Sequence, residues 1–140
     1  YRFEGKGDRI GTIVMDNAAN SGGKGEAPSP LQAFLITVGG CSGIDIVSIL
    51  EKSRQKIDDL EIEIHADRVK RGFISPFEHI NLHFKLTGDM DESKAERAVR
   101  LSLEKYCTVS HMMQQAMRMT ASMSVNGGEK RDVPLDLTPQ

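Results

Sequence analysis

The chain is poor in several of the patterns on which common functions depend. It has two cysteines, Cys41 and Cys107, among 140 residues, too few for the disulfide framework of a small secreted domain. Neither has a second cysteine at the spacing of a paired metal-ligand motif. The formal net charge is -2, and no cluster of lysine and arginine is interleaved with aromatics, so nucleic acid is not expected as a partner. No basic-then-apolar leader precedes Arg2 or Phe3, which makes a reducing cytoplasm the expected compartment. The start at Tyr1 is consistent with the loss of a short native leader. No internal repeat is evident.

Other motifs are missing as well. The run Ser21-Gly22-Gly23-Lys24-Gly25 lacks the order and spacing of a phosphate-binding loop, so residues 16–28 are expected to be a flexible loop. No serine sits in a nucleophile-elbow sequence. His79 and His83 have the spacing of a helical ligand pair, but their surroundings alternate as a strand, where four residues span ~13 Å. One metal cannot reach both, and His65 and His83 are expected on a solvated face. No metal and no cofactor is expected.

A hydrophobic content of 39% suffices for one domain with one core, or one half of an intertwined dimer. Arg2 to Gly5 and Ile10 to Met15 read as strands of a hairpin. Ser29-Pro30-Leu31-Gln32 is a strong helix start, a capping box with proline in the first turn, and the helix should run to about Ser53. Leu31 to Leu50 carries one charged residue, Asp45, and approaches the ~20 residues of a membrane span. Gln32, Ser42, Ser48, the glycines and Asp45 favour instead a helix buried on all sides in a soluble core, so no membrane partner is expected. Gly39 and Gly43 share one helix face and should admit a close backbone, either a second helix or a partner's copy of the same one.

After Asp59 the period becomes two. Leu60, Ile62, Ile64 and Ala66 alternate with polar residues, as do Ile80, Leu82, Phe84 and Leu86, which predicts an antiparallel pair. Asp91 begins a helix with Ala95, Ala98, Val99, Ser102 and Tyr106 on its inner side. A further helix runs from Val109 to about Met117 with Thr108 as cap, and Met119 to Val125 is a final strand. The tail from Asn126 should be turn-rich and loosely held. The order of elements is α+β.

The chemistry lies with the cysteines. Cys41 sits among glycines within the apolar helix; Asp45, one turn on, has the wrong sign to favour a thiolate, but could hold an arginine that faces the thiol. Cys107 precedes a helix start whose positive dipole end favours a thiolate, and His111, one turn further, is a candidate proton partner. The methionines at 112, 113, 117, 119 and 123 read as adaptable core filling. If the fold joins the two cysteines, they form a redox couple.

Two stretches together resemble the OsmC/Ohr family, and most of all its OsmC-like branch. One runs from Ser29-Pro30-Leu31-Gln32 through Gly39-Gly40-Cys41-Ser42-Gly43-Ile44-Asp45-Ile46-Val47. The other runs from Arg97-Ala98-Val99 through Glu104-Lys105-Tyr106-Cys107-Thr108-Val109. The likeness extends from Phe3 to Val125. It implies an α+β intertwined homodimer, with a long central helix carrying Cys41 packed between antiparallel sheets and with sites at the subunit interface. It also implies a single domain over residues 1–126, with 127–140 as tail. Family members are thiol peroxidases; by motif position Cys41 matches the attacking cysteine and Cys107 the resolving one. The family's glutamate near the start of the cysteine helix corresponds here to Gln32. Its arginine has no counterpart, since none occurs between Arg9 and Arg54; Glu26 and Arg9 are the charged residues that could substitute. The expected function is reduction of organic hydroperoxides or hydrogen peroxide by the Cys41/Cys107 couple, regenerated by an external dithiol. The alternative is a dimeric binding module with an apolar interface pocket and little peroxidase activity.

Overall fold

Ser29 and Gln32 form the capping box their spacing predicts: Ser29 Oγ accepts from Gln32 N at 3.2 Å, and Gln32 Oε1 accepts from Ser29 N at 2.9 Å. The helix they start, α1 (Pro30–Lys52), ends one residue short of the expected Ser53. The structure, a computed structural model, describes residues 1–9 and 11–137. Ile10 of the expected second strand and residues 138–140 of the expected tail lie outside the described residues. The chain forms two compact units, Tyr1–Thr37 and Val38–Gln140, and the division falls within α1.

In the first unit, β1 (Arg2–Lys6) and β2 (Thr12–Asp16) make the expected antiparallel hairpin, Arg2 facing Asp16 and Lys6 facing Thr12. The glycine-rich segment that follows is organised around a buried carboxylate. Asp16 accepts from the backbone N–H of Asn17 at 2.8 Å, Lys24 at 3.0 Å and Glu26 at 3.3 Å. These bonds, that of Lys24 foremost, hold its carboxyl below the ordinary carboxylate value. Gly23 is required there, because a Cβ would lie 1.9 Å from Asn17 O.

The second unit holds a four-stranded sheet in the order β3 (Asp59–Arg68), β4 (Phe77–Thr87), β5 (Arg118–Val125) and β6 (Arg131–Val133). The expected β3–β4 pair is antiparallel, with Ile62 opposite Phe84 and Ile64 opposite Leu82. β4 and β5 run parallel, with Leu82 opposite Ala121 and Phe84 opposite Met123, so the sheet is mixed. A parallel pair needs a long crossover, supplied by α2 (Glu92–Leu101), a π-helical turn (Ser102–Tyr106) and α3 (Thr108–Gln114). The apolar residues of β4 and β5, with Ile46, Leu50, Val99 and Leu103 from the helices, make the core.

The structure corrects several expectations. Gly39 and Gly43 do face a close neighbour, but it is the side-chain row of β3: a Cβ at either would meet Ile64 Cδ1 or Ile62 Cδ1 at 3.2 Å. α1 is not buried on all sides; only 28% of its most apolar stretch is covered, and Leu31, Phe34, Ile36 and Ile44 are exposed. Tyr106 leaves the buried side of α2 and is exposed, because the wider π turn rotates it out of the α-helical phase. His83 is buried rather than solvated and bonds through Nδ1 to Ser122 Oγ at 2.9 Å. The segment after Val125 is tied down: the Asn126 side chain exchanges two bonds of 2.9 Å with the backbone of Gly88, and β6 pairs with β5.

Candidate active site

Cys41 and Asp45 are one turn apart on α1 and so share a face. Val38, Ser42, Ile46 and Leu50 anchor that part of the helix by burial, with Ser42 Oγ donating to Val38 O at 2.7 Å. Cys107 is placed by the π turn, its backbone N–H donating to Ser102 O at 2.8 Å. It then caps α3 in place of the expected Thr108: Cys107 Sγ accepts from Ser110 N at 3.3 Å. Ser110 Oγ donates to Leu103 O at 3.0 Å, fixing the turn.

Ser102 links the two halves. Its hydroxyl is shared between Ser42 O at 3.2 Å and Asp45 Oδ2 at 3.3 Å. The result is a convergence of distant residues: Cys41 Sγ, Cys107 Sγ and a carboxylate oxygen of Asp45 all lie within 4.8 Å of one another. A disulfide bond is about 2.05 Å long, so the sulfurs must still close by up to about 2.7 Å to form one.

The electrostatics of Cys107 reverse the expectation drawn from its helix start. The Ser110 N–H lowers its pKa, but burial raises it more, and Cys41 and Asp45 add to the rise; the thiol is pushed up to about 12. Cys107 is therefore a neutral thiol at physiological pH. It is 2% exposed, whereas Cys41 is half-buried.

Two openings adjoin this part of the second unit. A cleft of about 550 Å³ runs from Asp45 along Ile49 and Lys52 to Arg97, Leu101 and Tyr106. A groove of about 660 Å³ follows the glycine face of α1, between Ile44 and Val47 on one side and Leu60 and Ile62 on the other.

Of the residues singled out in the sequence, Asp45 joins the two cysteines. His111 is exposed, hydrogen bonded to Gln114 at 3.4 Å, and outside the three-donor cluster. Gln32 is exposed and spends its side-chain oxygen in the capping box, and Glu26 is exposed with its backbone N–H on Asp16; both belong to the first unit. Ser102, Ser110 and Arg97 were not anticipated as site residues. The signal for the serines was available: small polar residues on an otherwise apolar helix face must find buried partners.

The sequence and the fold have counterparts among known proteins. Residues 23–122 match the family model for OsmC-like protein. Protein YhfA of Escherichia coli strain K12 is 47% identical over 116 residues, covering 81% of this chain and 81% of that protein. The crystal structure of a hypothetical protein from Aquifex aeolicus VF5 has 27% identity and a TM-score of 0.74, covering 92% of this chain and 97% of that one. The fold is also that of an organic hydroperoxide resistance protein OsmC from Legionella pneumophila, with 19% identity and a TM-score of 0.65 over 89% of this chain and 96% of that one. With a family match spanning both cysteines and a relative at this identity, the chain belongs to the OsmC-like family that its two cysteine motifs resembled.

Proposed function

We propose that the protein is a thiol-dependent peroxidase that reduces organic hydroperoxides or hydrogen peroxide in oxidative-stress defence, through Cys41 and Cys107. The observation that carries this reading is the approach of the two sulfurs to within 4.8 Å. The name of the Legionella neighbour, an organic hydroperoxide resistance protein, supports it at the level of the fold.

A thiolate at Cys41 attacks the outer peroxide oxygen; the O–O bond breaks, the alkoxide leaves and takes up a proton, and Cys41 is left as a sulfenic acid. The Cys107 thiol then attacks that sulfur, the S–S bond forms, and hydroxide leaves as water with a second proton. Because Cys107 is held protonated, its attack needs a base, and the Asp45 carboxylate is the group at hand to take the proton and pass it to the departing hydroxide. Arg97 and Lys52 supply positive charge in the cleft that Asp45 shares. An external dithiol in the cytoplasm restores both thiols by exchange. The working form in this reading is a homodimer, in which the second copy covers the apolar residues that α1 leaves exposed.

The test is a count of free thiols after mixing reduced protein with cumene hydroperoxide or hydrogen peroxide. Loss of two thiols per chain, abolished by Cys41→Ser, is expected. Asp45→Asn should slow loss of the second thiol about 100-fold, the scale of one positioned base. Thiols unchanged over minutes would favour the second reading, a dimeric binding module, for which the 660 Å³ groove along α1 offers an apolar site.

A further inference from the structure

The three atoms that approach at the cysteine pair are of a kind that metals select. Two sulfurs and a carboxylate oxygen suit a borderline-soft divalent cation, and they suit magnesium or calcium poorly, since those ions take oxygen shells. In a tetrahedral zinc site with Zn–S near 2.3 Å, the sulfurs sit about 3.8 Å apart. The donors here lie within 4.8 Å of one another, so closure of at most about an ångström between the sulfurs makes the site.

Two further bonds restrain donor atoms of the set. Ser102 Oγ donates to Asp45 Oδ2 at 3.3 Å and Ser110 N–H donates to Cys107 Sγ at 3.3 Å. Outer bonds of this kind orient ligands in metal sites. The donors also come from packed helical elements: α1 carries Cys41 and Asp45, and Cys107 is the cap of α3. Reading ligand spacing along the sequence missed the set because Cys107 joins through the fold and not through a short motif.

We infer that the reduced protein binds one Zn²⁺ per chain through Cys41 Sγ, Cys107 Sγ and the Asp45 carboxylate, each thiol proton passing to solvent as its Zn–S bond forms and a fourth position being left for water or another ligand. Metal and disulfide exclude each other. A two-electron oxidant such as diamide takes two electrons from the zinc-bound dithiolate and two protons from solvent; the S–S bond forms and Zn²⁺ is released. This inference does not rest on peroxidase activity, because any disulfide-forming oxidant closes the pair.

The experiment titrates the reduced, chelator-treated full chain with Cd²⁺, read by sulfur-to-cadmium charge-transfer absorption, and with Zn²⁺ in competition with a chromophoric chelator. One equivalent of each metal should bind. Cys41→Ser and Cys107→Ser should each weaken the absorption, and the double substitution should remove it. Asp45→Asn should keep it while weakening Zn²⁺ binding at least tenfold, since losing even a partner that only orients a ligand costs about 10–100-fold. Diamide-oxidised wild-type chain, which keeps every side chain, should bind none and so controls for misfolded variants. Absence of the band in reduced wild type, its persistence in the double variant, or unchanged Zn²⁺ affinity in Asp45→Asn would overturn the inference.

Discussion

Cys41 and Cys107 differ sharply in their surroundings, and the division of labour proposed for them follows that difference. Cys107 is 2% exposed, and burial pushes its thiol up to about 12, so it stays protonated and shielded at neutral pH. Iodoacetamide at neutral pH should therefore modify Cys41 first and reach Cys107 only after denaturation, as peptide mass mapping would record; equal labelling of both in the native protein would contradict this. His83 offers a second test. Burial, with the charge of Lys130 adding to it, lowers its pKa from the ordinary 6.5. A group whose pKa is lower folded than unfolded supports the fold above its unfolded value and loses that support as pH falls through the folded one. Denaturant midpoints at about pH 7.5 and about pH 5.5 should show a smaller acid-side loss for His83→Asn than for wild type.

The elements show where sequence patterns suffice and where they stop. The capping box at Ser29, the hairpin and the β3–β4 pair were legible, because each depends on residues close in sequence or on a clean period of two. The parallel pairing of β4 with β5 was not, since its direction is decided by a crossover through two helices. The capping role of Cys107 was also hidden: thiols are uncommon caps, and the π turn that aims the sulfur leaves no periodic trace. Gly39 and Gly43 were recognised as a close-packing face, but their partner is a row of isoleucine side chains. A side chain at Gly43 must displace the tip of Ile62, which a Cβ there would meet at 3.2 Å. Gly43→Leu should destabilise the chain by about 1 kcal/mol in chemical unfolding, an overpacking cost of about 1–3 kcal/mol less the roughly 1 kcal/mol returned by replacing a helical glycine; a raised midpoint would mean that the helix and β3 are less closely packed than described.

At the scale of the whole molecule, the α+β class and the family followed from the sequence, while the exposed side of α1 did not. A helix this apolar with Ile44 74% exposed invites a cover, and the proposed cover is a second copy of the chain. Light scattering after size exclusion should give twice the chain mass of 15.5 kDa, and Ile44→Lys should shift it toward one chain; a monomeric wild type would leave that surface unexplained by a dimer. The account as a whole turns on whether the cysteines that folding brings together react together. The most direct measurement is mass spectrometry of the non-reduced, digested protein after treatment with one equivalent of cumene hydroperoxide. A single linked pair of peptides containing Cys41 and Cys107, lighter by two hydrogens than their sum, is the predicted result. Recovery of both peptides unlinked with their thiols intact would contradict it.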